Sequence, residues 1–194
     1  MSSVMHCFKM PTPLKITSRT SGITNAFANA IIPVIEPTEE EIAEALSILG
    51  LDANDLRCAY CGDTSTEWDH LRPLIKDQRP TGYISEIANL VPACGKCNQS
   101  KGNKDWHVWM VSDAQLSPKT KRVPDLEQQI QRLEAFEAWR NVQPIDLAAM
   151  VGKTTWDAYW QQWQAILNEM QDAQRIADEI KNLIAEKHQQ SLEE

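Results

Sequence analysis

Four cysteines place the tightest constraint on this fold. They fall as two C-x-x-C pairs, Cys58/Cys61 and Cys94/Cys97, separated by 32 residues. Each pair puts two sulfurs into one tight turn, and four thiolates offer Zn²⁺ the closed tetrahedral site it takes in structural roles. An iron–sulfur cluster is the weaker alternative for these spacings. Gly62 and Gly95 are expected to supply the positive φ that such turns often require. The fifth cysteine, Cys7, and its neighbour His6 have no partner at matching spacing and read as a buried thiol and a surface imidazole. An odd count does not suit a disulfide framework, and a reducing cytosol would not keep one.

The chain has 194 residues, 42% hydrophobic and 24% charged, which is a globular balance rather than a disordered one. Its apolar runs fall far short of the ~20 residues a membrane span needs. Met1 to Met10 lacks the apolar core of a signal peptide, so a soluble, cytoplasmic protein is expected. The net charge of −8 disfavours a nucleic-acid partner if taken globally. Its distribution reverses that reading. Residues 1–57 carry a net −3 and residues 123–194 a net −7, but residues 58–122 carry +2. Any phosphate-binding surface belongs to this middle segment, which also holds the paired cysteines.

The flanks read as helices. Residues 1–37 look like an arm, with a short helix around Ala26 to Ile32; Lys9, Lys15 and Arg19 offer it an alternative role against DNA. Thr38-Glu39-Glu40-Glu41 is a capping box, followed by Ile42, Ala45, Leu46 and Leu49 at helical spacing and a terminating Gly50. A second amphipathic helix is expected over Asp125 to Arg140 and a long one over Thr154 to Lys187. The stripe Trp156, Trp160, Trp163, Leu167 and Met170 fits a packing seam, against the 125–140 helix or a twin subunit. Three segments follow: an N-terminal arm and helix (1–57), a core (58–110) and a helical extension (111–194) for specificity, packing or dimerisation.

Between and after the cysteine pairs lie Asp69-His70-Leu71-Arg72-Pro73, then Asn89-Leu90-Val91-Pro92, then Asn98-Gln99-Ser100-Lys101-Gly102. An Asp-His dipeptide alone means little. The order Asp-His, Asn, Cys-Asn-x-x-Lys, threaded through a zinc site, is specific. From Cys58 to about Trp106, roughly a quarter of the chain, the pattern resembles an HNH nuclease of the ββα-metal superfamily. The wording from Gly82 to Lys104 resembles small stand-alone restriction-type enzymes more than colicins or large guide-dependent nucleases. The resemblance implies an α+β fold, a small zinc-stapled ββα-metal core flanked by α-helices. It also implies that Asn89 clamps the loop between the strands behind His70.

The residues support that chemistry. Phosphodiester hydrolysis needs a base for water and a cation for the charge on phosphate. His70 titrates near working pH and suits the base. Asp69 and Asn98 offer two oxygen ligands, a set that suits Mg²⁺ or Mn²⁺ and not zinc. Colicin-like enzymes have histidine where Asn98 stands, and Gly102 cannot be a ligand, so the site is oxygen-rich. His107 reads as a helix histidine rather than a substitute ligand. Asn98 is expected to cap the helix that follows, with Arg72, Lys101 and Lys104 along the DNA phosphates.

The function expected is therefore divalent-metal-dependent cleavage of duplex DNA in the restriction manner, by a homodimer joined along the aromatic seam. Homing, phage or modification-dependent nucleases, and a non-catalytic zinc-stabilised DNA-binding protein, are the alternatives.

Overall fold

The computed structural model describes residues 9–193; Cys7 and His6 lie outside the described residues. The fold is α+β. In chain order the elements are α1 (Thr20–Ala30), α2 (Glu39–Leu49), β1 (Glu67–His70), β2 (Ile75–Lys76), β3 (Arg79–Pro80), β4 (Leu90–Ala93), α3 (Gly95–Lys101), α4 (Trp106–Met110), α5 (Pro118–Lys121), α6 (Leu126–Ala138), α7 (Leu147–Val151) and α8 (Lys153–Glu193). Two units separate: residues 25–150, and residues 9–24 together with 151–193. No described helix is long and apolar enough to cross a membrane.

The larger unit is built around one antiparallel pair. β1 and β4 align Glu67 with Ala93, Trp68 with Pro92, Asp69 with Val91 and His70 with Leu90. The two-residue strands β2 and β3 form a separate ribbon in the connection between them. α3 follows β4 directly, completing a ββα unit. Side chains alternate across a strand, so Glu67 and Asp69 share one face of β1 and Trp68 points to the other, where it is exposed.

The core of this unit runs from Ala45 and Leu49 of α2 through Tyr60, Leu71 and Val91 to Trp106, Trp109 and Met110 of α4, and to Leu133 and Phe136 of α6. α2 starts as its sequence dictates. The Thr38 amide donates to Glu41 Oε2 at 2.8 Å and the Glu41 amide to Thr38 Oγ1 at 3.2 Å, closing the capping box. It stops at Gly50, whose φ of +65° lets the Gly50 and Leu51 amides turn back onto the last carbonyls. α6 begins and ends within two residues of its expected bounds.

In the smaller unit, α8 carries a tryptophan ladder. Successive ring centroids of Trp156, Trp160 and Trp163 stand 5.8 Å apart. Within this unit the stripe is covered by the chain's own N-terminal segment. Trp163 Nε1 donates to Thr24 Oγ1 at 3.2 Å, and the Ile16 amide donates to Gln174 Oε1 at 2.6 Å. The helix expected near 26–32 thus begins at Thr20, six residues early. Thr20, Ser21 and Gly22 are poor helix formers, and tertiary packing overrides them.

Candidate nuclease site

The four cysteines converge. Their sulfurs all lie within 4.8 Å of one another, and Cys61 Sγ stands 3.7 Å from Cys94 Sγ. Sulfurs at the corners of a zinc tetrahedron stand about 3.8 Å apart for a Zn–S bond of about 2.3 Å, so the donor set fits a structural Zn²⁺. Cys58 opens the first knuckle: its amide donates to the Asp63 carbonyl and its carbonyl accepts from the Gly62 amide. Gly62 has φ +75°, as that turn requires. Hydrogen bonds from Cys61 and Cys97 push the Cys58 thiol down to about 4, and the same contacts push the Cys61 and Cys97 thiols up. A dication bound here would take all four sulfurs as thiolates, releasing their protons.

The second knuckle departs from expectation. Cys94 is the N-cap of α3 and Cys97 lies in its first turn, so one helical turn spaces the two sulfurs. Asn98 is therefore the fourth residue of α3 and not its cap. Gly95 is helical and not among the glycines with positive φ. Its lack of a side chain serves space: a Cβ there would stand 2.9 Å from Glu67 Oε1.

Each knuckle delivers one part of a second site. Tyr60, between Cys58 and Cys61, is fully buried, packs edge-on against Trp109 and donates from its hydroxyl to Asp69 Oδ2 at 2.6 Å. Asn98, next to Cys97, donates from Nδ2 to Glu67 Oε2 at 2.7 Å, leaving Oδ1 available. Asp69, His70 and Asn98 all line one open groove of about 460 Å³, with Asn25, Asn29, Pro73, Leu74, Ile75, Gly102 and Asn103. Asp69 and His70 are sequence neighbours, yet both reach the groove because β1 ends at His70 and the chain bends there.

His70 Nε2 stands 2.5 Å from Ser85 Oγ. Burial, and then the nearby Lys101 ammonium, hold its imidazole below the usual histidine range, which favours the neutral ring. Behind it, Asn89 is fully buried and bridges two segments. Its Oδ1 accepts from the Arg72 amide at 2.8 Å, and its Nδ2 donates to the Arg72 and Ile84 carbonyls at 3.1 and 3.3 Å.

Two expected phosphate contacts are elsewhere. Lys101 is completely buried. Its Nζ donates to Asp69 Oδ1 at 3.3 Å, to the His70 carbonyl at 2.8 Å and to the Gly102 carbonyl at 3.3 Å, with Asp69 Oδ2 at 3.0 Å. An ammonium so engaged has no donor left for DNA. Burial pushes the Asp69 carboxyl up and the Lys101 ammonium down, and their mutual attraction offsets these shifts only in part. Arg72 turns away as well. Its Nη2 donates to the Glu137 carbonyl at 2.7 Å, its Nε stands 3.4 Å from Glu137 Oε1, and its guanidinium lies over the Tyr83 ring. Only Lys104 of the three is exposed, with Nζ on the Ser100 carbonyl at 2.6 Å. His107 faces Glu134 at 3.7 Å, away from the groove's lining.

The oxygen donors fit a hard cation. A carboxylate has about four lone-pair sites; Tyr60 takes one and the bifurcated Lys101 takes two, leaving one on Asp69 Oδ1. With the Asn98 carbonyl oxygen this makes a sparse, all-oxygen set that suits Mg²⁺ with its retained waters. Tyr60, Glu67 and Ser85 were not singled out by sequence reasoning. Only the alternation that puts Glu67 on the Asp69 face of β1 could have pointed to one of them.

Residues 58–104 match the family model described as HNH endonuclease. Over 57 residues the chain is 39% identical to the CRISPR-associated endonuclease Cas9 of Corynebacterium diphtheriae, an alignment covering 27% of this chain and 5% of that protein. Over 69 residues it is 38% identical to the CRISPR-associated endonuclease Cas9 of Actinomyces naeslundii, covering 32% of this chain and 6% of that protein. The chain thus spans about one-twentieth of the length of these relatives. No solved structure matches it. Asp69, His70 and Asn98, which share the groove, all lie within residues 58–104, the segment that matches the HNH endonuclease family model.

Proposed function

We propose that this protein is a divalent-metal-dependent DNA endonuclease whose core, residues 58–110, cuts duplex DNA in the restriction manner without a guide. The observation that carries this reading is the meeting of Asp69, His70 and Asn98 in one groove, each anchored from behind. His70 acts as the base. With Ser85 Oγ accepting from Nε2–H, the Nδ1 lone pair is left to take a proton from the attacking water. Asp69 Oδ1 and Asn98 Oδ1 would hold Mg²⁺ or Mn²⁺, and the bound cation supplies charge stabilisation on the phosphate and the leaving oxygen. Tyr60 and Lys101 hold the Asp69 carboxylate, and Asn89 holds the loop behind His70. Lys104 is the remaining phosphate contact from the expected set, with specificity residing in the flanks.

Cleavage of both strands needs two sites, and a homodimer would provide them. The distal part of α8 supports that arrangement, since Ile176, Ile180 and Leu183 are exposed at seam-like spacing. A second reading is favoured by the two CRISPR-associated relatives: the domain cuts only as part of a larger guide-directed assembly. Incubating the purified protein with plasmid and Mg²⁺, Mn²⁺ or EDTA separates them. Discrete fragments that vanish with EDTA support the restriction reading, and a smear supports a nonspecific nuclease. Intact plasmid under every condition favours the assembly reading or a binding-only role.

A further inference from the structure

Asparagine is an ambiguous metal ligand. Its side-chain amide is nearly symmetric in shape, and a half-turn about the last bond exchanges the ligating oxygen for an NH₂ group that repels a cation. Something in the structure has to choose. Glu67 stands two residues before Asp69 on the same face of β1 and accepts from Asn98 Nδ2 at 2.7 Å. A carboxylate only accepts, so it can hold the NH₂ end of the amide and never the oxygen end. Gly95 supplies the second, independent observation. It needs no special φ, but a Cβ there would meet Glu67 Oε1 at 2.9 Å. The helix start is bare where the Glu67 carboxylate lies across it.

We infer that Glu67 is a positioning residue that fixes the Asn98 amide with Oδ1 turned to the groove, and that Gly95 is glycine to leave room for it. The inference rests on the reading of Asp69 and Asn98 as ligands of one hard cation. It makes Glu67 matter through Asn98 and not through its own charge on the cation.

Mn²⁺ binding to the zinc-loaded 194-residue chain, followed by titration calorimetry, tests it alongside plasmid cleavage. Glu67→Gln presents both a donor and an acceptor and so enforces neither orientation. It should weaken Mn²⁺ binding by roughly 10-fold or more, as outer-shell changes do, with zinc content and circular dichroism unchanged. Gly95→Ala should weaken it in the same direction by displacing the Glu67 carboxylate. The decisive arm repeats Glu67→Gln in an Asn98→Asp background. Two equivalent carboxylate oxygens have no wrong orientation, and Glu67 then faces a like charge. There Glu67→Gln should leave Mn²⁺ binding unchanged or tighten it. Equal weakening in both backgrounds, or none beside the native Asn98, overturns the inference while leaving the ligand assignment intact. Wild-type protein whose Mn²⁺ binding is indifferent to Asp69→Ala and Asn98→Ala overturns the ligand assignment and the inference with it.

Discussion

The Tyr60 hydroxyl donates to Asp69 Oδ2 at 2.6 Å from inside the first cysteine knuckle. The loop that carries two sulfurs is therefore also the loop that orients the Asp69 carboxylate. The second knuckle repeats the device, because Cys97 is followed directly by Asn98. A metal that pins the two turns would also fix Asp69 and Asn98, the two oxygen donors proposed for the other site.

Tyr60→Phe removes one hydroxyl and nothing else. It should cost about 1–3 kcal/mol, the penalty for a buried acceptor that loses its donor. Urea denaturation measures the loss, and the Mg²⁺ concentration for half-maximal cleavage should rise.

Lys101→Met strands a buried carboxylate. Removing one partner of a buried pair typically costs about 3–5 kcal/mol, far above the ~0–1 kcal/mol of an exposed ion pair. Lys101→Met/Asp69→Leu, which removes both charges, should recover part of that stability in thermal denaturation without recovering cleavage, the shortfall coming from the buried Tyr60 hydroxyl left without its acceptor. A surface phosphate contact would show neither the large loss nor the recovery.

His70→Ala should reduce cleavage by about 10²–10⁴-fold, the usual contribution of a positioned base, with melting temperature and DNA binding retained. Retained cleavage at the wild-type rate would assign the base elsewhere.

Burial and the Lys101 ammonium lower the folded pKa of His70 below its ordinary value of 6.5. The imidazole therefore stays neutral as the pH falls through 6.5, and with His70 as the proposed base the acid limb of the cleavage profile should have its midpoint below that value. A cation on Asp69 moves it the same way. For stability, the unfolded chain binds a proton at His70 over the window below 6.5 that the folded chain refuses. The His70 contribution is thus intact above pH 6.5 and declines as the pH drops toward the folded value. Comparing wild type with His70→Ala in denaturation from pH 7.5 to 5 isolates it.

Much of the site was legible because its residues have few other uses in that order. Paired cysteines at knuckle spacing, an Asp-His at a strand end and an Asn beside the last cysteine pointed to their places. The capping box at Thr38 and the stop at Gly50 were equally direct, since both are local hydrogen-bonding devices. What stayed hidden depends on long-range burial. Lysine near a phosphate-cleaving centre suggests a surface contact, and nothing local reveals that Lys101 is enclosed under Asp69. Arg72 is drawn to Glu137, 65 residues away. The start of α3 at Gly95 and the cover of residues 16–24 over the tryptophan ladder are likewise products of packing and not of local preference.

Two different metals held by adjoining turns are the arrangement on which every role above depends. A crystal of the zinc-loaded protein soaked in Mn²⁺, with anomalous data collected at both absorption edges, locates each ion directly. A zinc peak is expected among Cys58, Cys61, Cys94 and Cys97, and a separate manganese peak against Asp69 Oδ1 and Asn98 Oδ1. Manganese bound away from those oxygens, or no zinc among the four sulfurs, would contradict it.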